Sequence, residues 1–205
     1  MNKTCVIYHK MLNITTLPLE LVQKLQEFLL DLDEDVWYNF ASQGNLEGIR
    51  WLHEHNVPLN DYEYSVIVDL AMSSHLAVTI YMHQQGYQCT TVAMDWAAQT
   101  GHLDIVKWLH ENREEGCTSK AMDYAAEYGH LDVVQFLHEH RSEGCTTYAM
   151  DKAAQNGHLE VLEFLREHRT EGCTLNALDL AVQNRHSNVI VWLMQNIYGY
   201  GVPIA

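Results

Sequence analysis

The chain reads Ala93-Met94-Asp95-Trp96-Ala97-Ala98 over residues 93–98, and this six-residue pattern returns three times. The copies are Ala121-Met122-Asp123-Tyr124-Ala125-Ala126, Ala149-Met150-Asp151-Lys152-Ala153-Ala154 and, more loosely, Ala177-Leu178-Asp179-Leu180-Ala181-Val182, each 28 residues after the one before. The first three copies are followed by Gly-His-Leu at 101–103, 129–131 and 157–159, and then by a second apolar segment. A fixed period of about 20 to 50 residues is typical of a stacked solenoid, in which neighbouring units bury one another's apolar faces.

The register extends on both sides of these copies. Near the end of each second segment an aromatic residue precedes Leu or Met, at Trp51, Tyr81, Trp108, Phe136, Phe164 and Trp192. Six units result, starting near Val36, Val66, Ala93, Ala121, Ala149 and Ala177, with spacings of 30, 27, 28, 28 and 28 residues. The sequence therefore predicts an N-terminal segment at 1–35, repeats at 36–196 and a C-terminal tail at 197–205.

Each unit is predicted to form two antiparallel helices. Thr118, with its equivalents at 90, 146 and 174, is placed to cap the first helix, because its hydroxyl can accept from a free amide of the first turn. The paired alanines Ala125-Ala126 keep that helix slim enough for close stacking, and Gly129 (101 and 157 in other units) suits the left-handed residue that ends it. Apolar residues across 131–137 give the second helix a broad buried face. The predicted fold class is all-α.

The full unit, Ala-Met-Asp-x-Ala-Ala-x-x-Gly-His-Leu-x-Val-Val-x-Phe-Leu, resembles the ankyrin repeat pattern Thr-Pro-Leu-His-x-Ala-Ala-x-x-Gly-His-x-x-Val-Val-x-Leu-Leu over about 36–196, and most strongly over 93–181. The unit is about five residues shorter than the usual ankyrin period of 33, and the loss falls in the connecting finger, which is normally a β-hairpin. The resemblance therefore implies a helical solenoid of about six short repeats with little or no β-hairpin. This short, Trp- and His-rich variety is similar to arrays of giant viruses of amoebae and of oomycetes and other protists.

A second motif lies at residues 17–30, where Leu-Pro-x-Glu-Leu-x-x-x-Leu-x-x-Phe-Leu resembles the first helix of an F-box. An F-box docks onto the Skp-type adaptor of cullin ubiquitin ligases, so the resemblance implies adaptor contacts through Leu17, Pro18, Leu21, Leu25 and Phe28. A full F-box needs about 40 residues, yet the first repeat begins near 36. The alternative is a helix that only caps the open end of the solenoid.

The composition limits the partners. The chain carries 27 acidic and 12 basic residues, a formal net charge of -15. Phosphate binding needs dense Lys and Arg, so this balance argues against nucleic acid and anionic membranes and favours a protein partner with a basic patch. No charge-free run is long enough to cross a bilayer, and the start lacks the apolar block of a signal peptide. We therefore expect the protein in the cytoplasm or nucleus, of a host cell if it is viral.

The His and Asp residues that recur with the repeat do not form a catalytic or metal site. The histidines at 75, 102, 130, 158 and 186 lie one unit apart and cannot converge on one zinc ion. His53 and His55, like His138 and His140, are two residues apart on a helix and point apart. Each turn histidine is predicted to bond to backbone in its own or the next loop. Each aspartate of the series 95, 123, 151 and 179 is predicted to accept from backbone amides of the linker.

The remaining chemistry-bearing residues give no catalytic motif either. The cysteines at 89, 117, 145 and 173 lie too far apart for disulfides and are predicted to be free and mostly buried. The sequence has no phosphate-binding loop and no nucleophile elbow. We therefore expect no enzyme activity, no cofactor and no metal.

Positions that vary between units while facing outward are free to bind a partner. One such column is Trp96, Tyr124, Lys152 and Leu180. A second, at the end of the first helix, is Thr100, Tyr128, Asn156 and Asn184, and a third precedes that helix at Val92, Lys120, Tyr148 and Asn176. We expect these columns to line the concave side, where ankyrin arrays usually bind. The predicted partner contacts are Trp96, Thr100, Lys120, Tyr124, Tyr128, Tyr148, Lys152 and Asn156, since aromatic anchors dominate interface energy. The alternative is that some of these side chains only cover neighbouring helices.

The last unit departs from the pattern. Val191 occupies a position that is Lys107, Gln135 or Glu163 in interior units, and Arg185 replaces the turn glycine. An apolar outer face breaks the rule that terminal repeats are polar outside. We expect residues 197–204 to fold back over this face or a second chain to cover it. Self-association is thus a third function class, beside a protein-binding module and an F-box/ankyrin substrate adaptor.

Overall fold

The computed structural model describes residues 36–54, 68–69, 73 and 75–199, and every regular element within them is an α-helix. The helices are α1 (Val36–Ser42), α2 (Leu46–Glu54), α3 (Leu76–Gln84), α4 (Thr91–Gln99), α5 (Leu103–Asn112), α6 (Ser119–Glu127), α7 (Leu131–His140), α8 (Thr147–Asn156), α9 (Leu159–His168), α10 (Asn176–Gln183) and α11 (Ser187–Asn196). The all-α prediction is confirmed for these residues, and the described linkers at 85–90, 113–118, 141–146 and 169–175 contain no strand. The candidate helix at 17–30 and the predicted unit start at 66 lie outside the described residues. None of the described helices is long and apolar enough to cross a membrane.

Helices α4, α6 and α8 begin at a threonine cap, whereas α10 begins after Leu175, one residue beyond Thr174. The Thr118 hydroxyl accepts from the amide of Lys120, and Thr90, Thr146 and Thr174 accept in the same way from the residue two positions later. Helices α4, α6, α8 and α10 consequently begin one or two residues before the predicted unit starts at 93, 121, 149 and 177. A cap of this kind stabilises a helix by about 1 kcal/mol relative to alanine.

Each first helix ends at a left-handed residue that turns the chain into the second helix. Gly129 has φ +78°, and Gly101 and Gly157 adopt the same conformation at +75° and +83°. Space also requires glycine there, because a Cβ on Gly129 would lie 2.5 Å from Nδ1 of His158 in the next unit. Arg185 holds this backbone conformation with φ +62° in the last described unit.

The helices stack in two layers. The first helices α4, α6, α8 and α10 pack closely on one another, whereas α5, α7 and α9 approach one another less. Small side chains such as Ala97, Ala98, Ala125 and Ala126, all fully buried, permit the closer approach. A two-layer stack with one tighter layer curves towards that layer, so the first helices line the concave side and the second helices the convex side.

Buried carboxylates connect each unit to the next. Asp95 accepts from the backbone amide of Thr118 at 2.8 Å and from its hydroxyl at 2.7 Å. The same two bonds join Asp69 to Thr90, Asp123 to Thr146 and Asp151 to Thr174. The predicted bond from the linker amide is thus confirmed for Asp95, Asp123 and Asp151, whereas Asp179 in the last described unit is exposed. Because the same threonine also caps the helix, each aspartate orients the start of its neighbour.

The linkers are closed by ion pairs instead of β structure. Arg113 pairs with Glu115, Arg141 with Glu143 and Arg169 with Glu171, two residues apart in each linker. Each arginine also contacts the thiol of the preceding linker's cysteine, as Arg141 does at Cys117. These repeated contacts hold the short connecting finger in one conformation.

Candidate functional site

Helical spacing places the predicted binding residues on one accessible side of the first helices. Within α4 the positions 92, 96, 99 and 100 share a face, while 93, 94, 97 and 98 are buried against the core. We call the accessible side of α4, α6 and α8 the concave face. Its members are Trp96, Gln99, Thr100, Lys120, Tyr124, Glu127, Tyr128, Tyr148, Lys152, Gln155 and Asn156.

Tyr148 is the centre of a cluster that joins two units. Its ring meets the ring of Tyr124 edge-on, with 6.2 Å between centroids, and Nζ of Lys152 lies 5.4 Å from its centroid. Its hydroxyl donates to Oε2 of Glu127 at 2.9 Å. Burial, followed by this bond to a carboxylate, raises the pKa of Tyr148 to about 12, so the phenol stays protonated. The cluster is therefore ordered before any partner arrives, although 38% of Tyr148 remains exposed.

Tyr128 is the most accessible aromatic residue of the concave face, at 50% exposure. Its hydroxyl accepts from Nε2 of Gln99 in the preceding unit at 3.5 Å, a long bond that restrains the ring only weakly. Trp96, in the same unit as Gln99, is half-buried. Tyr128 is accordingly the aromatic side chain on this face that has most surface to lose to a partner.

The polar members of the face have structural partners as well. The Thr100 hydroxyl donates to the Trp96 carbonyl in its own helix at 2.9 Å. The Asn156 amide donates to the backbone carbonyl of Glu127 in the preceding unit at 2.7 Å. Thr100, Lys120 and Asn156 are nevertheless exposed, whereas Tyr124 and Lys152 are half-buried. The structure thus brings the predicted residues onto one face, and part of that set also holds neighbouring helices together.

Gln99, Glu127 and Gln155 belong to the concave face but were not among the residues predicted from the sequence. They form a fourth column, three residues after the column of Trp96, Tyr124 and Lys152. The signal was present, since positions i and i+3 share a helix face. Glu127 is the most consequential of the three because its carboxylate accepts the Tyr148 bond and its carbonyl accepts the Asn156 bond.

The turn histidines His130 and His158 help to hold the stack together, and their hydrogen-bond partners lie in the preceding unit. Nε2 of His130 donates to the Gln99 carbonyl at 3.1 Å, and His158 bonds in the same way to the Glu127 carbonyl. The prediction of a backbone partner is therefore confirmed for His130 and His158, whereas its placement in the same or the next loop was wrong for these two. Burial lowers the pKa of His158, and the bond to Glu127 offsets that effect in part.

The second-helix histidines contact aromatic rings of the following unit. His83 lies edge-on to Trp108, His110 to Phe136 and His138 to Phe164, with centroid distances of 5.1, 5.6 and 5.5 Å. His140 instead stacks on Phe136 within its own helix at 4.3 Å. His138 and His140 therefore point to different neighbours, as their spacing predicts, and His55 lies outside the described residues. No group of three or more His, Cys, Asp or Glu side chains with metal-binding geometry occurs in the part of the chain that the structure describes.

The cysteines are free, as predicted; Cys89, Cys117 and Cys145 are buried and Cys173 is half-buried. Burial raises the pKa of Cys117 to about 12 and those of Cys89 and Cys145 to about 11. A thiol in that range is protonated at physiological pH and is a poor nucleophile. These cysteines serve packing.

The last described unit exposes apolar surface at its open side. Leu175 and Val182 are 77% and 52% exposed, and Val182 takes the place of alanines that the next unit buries in the interior repeats. Val191 is 44% exposed, but its interior equivalents are exposed too, so this position faces the convex solvent side and not the open end. The end-face interpretation of Val191 is corrected accordingly.

The tail returns to the stack over its first residues. Ile197 and Tyr198 pack against the core, and the Tyr198 hydroxyl donates to the Thr174 carbonyl at 3.1 Å. Residues 200–205 lie outside the described part of the chain. The predicted adaptor contacts Leu17, Pro18, Leu21, Leu25 and Phe28 lie outside it as well.

One family comparison agrees with this geometry. A family model described as ankyrin repeats (many copies) matches residues 122–166, which run from α6 into α9. No curated protein matches the chain. The stretch that carries the match contains Tyr124, Glu127, Tyr128, Tyr148 and Lys152, so the concave cluster lies in repeats that are similar to ankyrin repeats. Ankyrin repeats are generally protein–protein interaction modules without catalytic activity.

Proposed function

We propose that this chain is a non-catalytic protein-binding array whose concave face holds one protein partner. The observation that carries the proposal is the run of part-exposed tyrosines, Tyr124, Tyr128 and Tyr148, on one face of two adjacent units. Most residues that pack the first helices, such as Ala97, Ala125 and Ala153, are the same in each unit, whereas this face changes from unit to unit. Binding, unlike folding, needs such differences.

The ordering of the cluster supports a binding role. Hydrogen bonds and ring contacts already restrain Tyr148 and Tyr124, so little conformational freedom is lost when a partner covers them. Tyrosine combines a large apolar ring with a hydroxyl, and it is enriched among the residues that contribute most to interfaces. We propose Trp96, Thr100, Lys120, Lys152 and Asn156 as the surrounding contacts.

The test replaces Tyr128 with alanine. Proximity labelling in the native or host cell identifies candidate partners, and isothermal titration then compares the wild type with Tyr128→Ala. We expect affinity to fall by about 2 kcal/mol or more, roughly 30-fold, while the thermal melt stays close to that of the wild type. Tyr128 is preferred to Tyr124 because Tyr124 is half-buried against Tyr148.

Val191→Ala is the matched control, since it removes an exposed apolar side chain from the convex side of α11. Its affinity should equal that of the wild type. A partner that responds to Val191→Ala and not to Tyr128→Ala binds the convex side, and the proposed concave site is then wrong.

The sequence at 17–30 supports a second proposal, the F-box/ankyrin substrate adaptor. In that role the helix would recruit a Skp-type adaptor while the concave face holds the target. A pull-down with purified Skp-type adaptor, comparing the full chain with Leu21→Asp, tests it directly. If the adaptor retains the wild type and Leu21→Asp equally, or does not retain the wild type, the adaptor role is excluded and the alternative of a capping segment remains.

Exposed Leu175 and Val182 support self-association through the C-terminal end as a further proposal. Light scattering across a concentration series, with Val182→Gln as the comparison, tests this proposal. A wild-type chain that stays monomeric at the highest concentration excludes it.

A further inference from the structure

We propose that the partner segment on the concave face is acidic, with two carboxylates that pair with Lys120 and Lys152 on either side of the Tyr124–Tyr148 contact. This inference rests on the proposed function and specifies the chemistry of its partner. It differs from the expectation drawn from net charge, which favoured a basic patch.

In the part of the chain that the structure describes, most exposed acidic residues lie away from the concave face. The described second helices carry nine exposed acidic residues (Glu47, Glu54, Asp104, Glu111, Asp132, Glu139, Glu160, Glu163, Glu167) against three basic ones (Arg50, Lys107, Arg166). On α4, α6 and α8 the aspartates are buried and bonded to threonines of the next unit. The accessible charges there are Lys120, Lys152 and Glu127. A basic partner would therefore meet the convex side, whereas the concave face is weakly cationic.

The single acidic side chain of that face is already engaged. The Tyr148 hydroxyl donates a hydrogen bond to the Glu127 carboxylate at 2.9 Å, and the Glu127 backbone carbonyl accepts from Asn156 and His158. This bond holds the carboxylate between two units, so Glu127 is not free to pair with a cationic group of a partner. The ammonium groups of Lys120 and Lys152 are therefore better placed than the Glu127 carboxylate to bind a charged group of a partner.

The present partner of Lys152 is a neutral one. Its ammonium donates to the amide oxygen of Gln155 at 2.7 Å and lies over the Tyr148 ring. A carboxylate would displace that amide oxygen, because charge-assisted hydrogen bonds are roughly twice as strong as neutral ones. Lys120 lies near the buried Asp95, which its charge stabilises, but its own side chain is exposed at the start of α6. Lysine in a first helical turn adds to the positive end of the helix dipole and so also favours an anion.

The positions of the two lysines set the spacing of the carboxylates. Lys120 and Tyr148 share one column and Tyr124 and Lys152 share the next, so each lysine stands diagonally across the tyrosine pair from the other. Adjacent helices are roughly 10 Å apart and one helical turn rises about 5.4 Å, which separates the lysines by roughly 11–12 Å. An extended peptide spans about 3.4 Å per residue, so acids three to four residues apart match the pair. An apolar residue between them would rest on the tyrosine rings.

The experiment uses a displayed library of random short peptides selected on the full wild-type chain. We expect enrichment of peptides that carry two acids three or four residues apart with an apolar residue between them. The leading peptide is then synthesised with a fluorophore and titrated by anisotropy against Lys120→Gln, Lys152→Gln and the double variant. Each single change should weaken binding about fivefold and the double change by about 20-fold at low salt, as expected for surface ion pairs.

Lys107→Gln is the matched control. It removes the same charge from exposed convex surface on α5, and it should change affinity by less than about twofold. Circular dichroism melts show that each variant is folded. A peptide with one acid changed to lysine should bind Lys152→Glu better than it binds the wild type, which a merely structural lysine would not produce.

The outcomes separate the two proposals. Basic or neutral peptides that lose affinity in Tyr128→Ala but not in the lysine variants overturn the acidic partner and leave the concave site standing. Peptides that bind Tyr128→Ala and the lysine variants as tightly as they bind the wild type overturn both proposals. Acidic peptides that respond equally to Lys107→Gln and Lys152→Gln show only nonspecific attraction and overturn the pairing.

Discussion

Replacing Gly129 with alanine should destabilise the stack through two separable effects. The first is the backbone, because φ at this residue is +78° and an L-residue with a Cβ pays about 1 kcal/mol in that region. The second is contact with the next unit, since the new Cβ would lie 2.5 Å from Nδ1 and 2.6 Å from Cε1 of His158.

The second effect involves more than crowding. His158 can move away only by giving up the hydrogen bond that it donates to the Glu127 carbonyl, which contributes about 1 kcal/mol, together with part of its packing. The sum is about 2–4 kcal/mol. In a chain of this length each kcal/mol lowers the melting temperature by roughly 2–4 °C, so we expect a clear shift.

The matched control is Gly86→Ala. Gly86 has φ +81°, nearly the same backbone conformation, but nothing lies within 4 Å of the Cβ that alanine would add. This variant should therefore lose only the backbone part, about 1 kcal/mol. Thermal melts followed by far-ultraviolet circular dichroism measure both. Equal losses in Gly129→Ala and Gly86→Ala would refute the argument that the turn glycine is needed to admit the histidine of the next unit.

Three further changes test separate parts of the structure. Burial lowers the folded-state pKa of His158, so its contribution to stability is complete above the unfolded pKa of about 6.5 and is lost as the pH falls through the folded pKa. His158→Gln should therefore reduce the loss of melting temperature between about pH 7 and pH 5. An unchanged slope of melting temperature against pH would contradict this role. Arg185→Gly should raise the melting temperature by a degree or so, because about 0.5–1 kcal/mol of left-handed backbone cost is removed from an exposed position; a lower melting temperature would count against it. Tyr198→Phe removes the hydroxyl that donates to the Thr174 carbonyl and contacts the Cys173 thiol. The free energy of unfolding should fall by about 1 kcal/mol, and a thiol reagent should label Cys173 faster. Unchanged labelling would mean that the tail does not cover Cys173.

The repeat register predicted the local structure well because each cue acts within one unit. Threonine before the first helix, paired alanines within it and glycine after it each have a short-range physical reason, and the structure places Thr118, Ala125 and Gly129 accordingly. The aspartate bonds were also predictable, since a buried carboxylate repeated beside a linker needs donors, and the linker amides are the nearest ones.

Contacts between units were harder to predict, because the sequence gives the spacing of the units but not the side on which they meet. The histidine of each turn could have bonded forwards or backwards; it bonds backwards because the glycine of the preceding turn leaves room for its ring. The same limit hid Val182. A valine in place of alanine reads as a conservative change within α10, and only the stacking direction shows that it is uncovered.

Placement of charge shows the same difference between composition and geometry. A net charge of -15 gave the expectation of a basic partner, but that sum treats every carboxylate alike. In the structure the aspartates of α4, α6 and α8 accept hydrogen bonds from threonines of the next unit, and burial raises the pKa values of Asp95 and Asp123. Most exposed acids of the described helices lie on the second helices, where polar residues are needed to keep the convex side in water; Asp179 on α10 is an exception. Charge therefore identifies the solvent side of this solenoid, and the accessible positions of the concave face, chiefly Lys120, Tyr128 and Lys152, are the ones from which its binding preference must be judged.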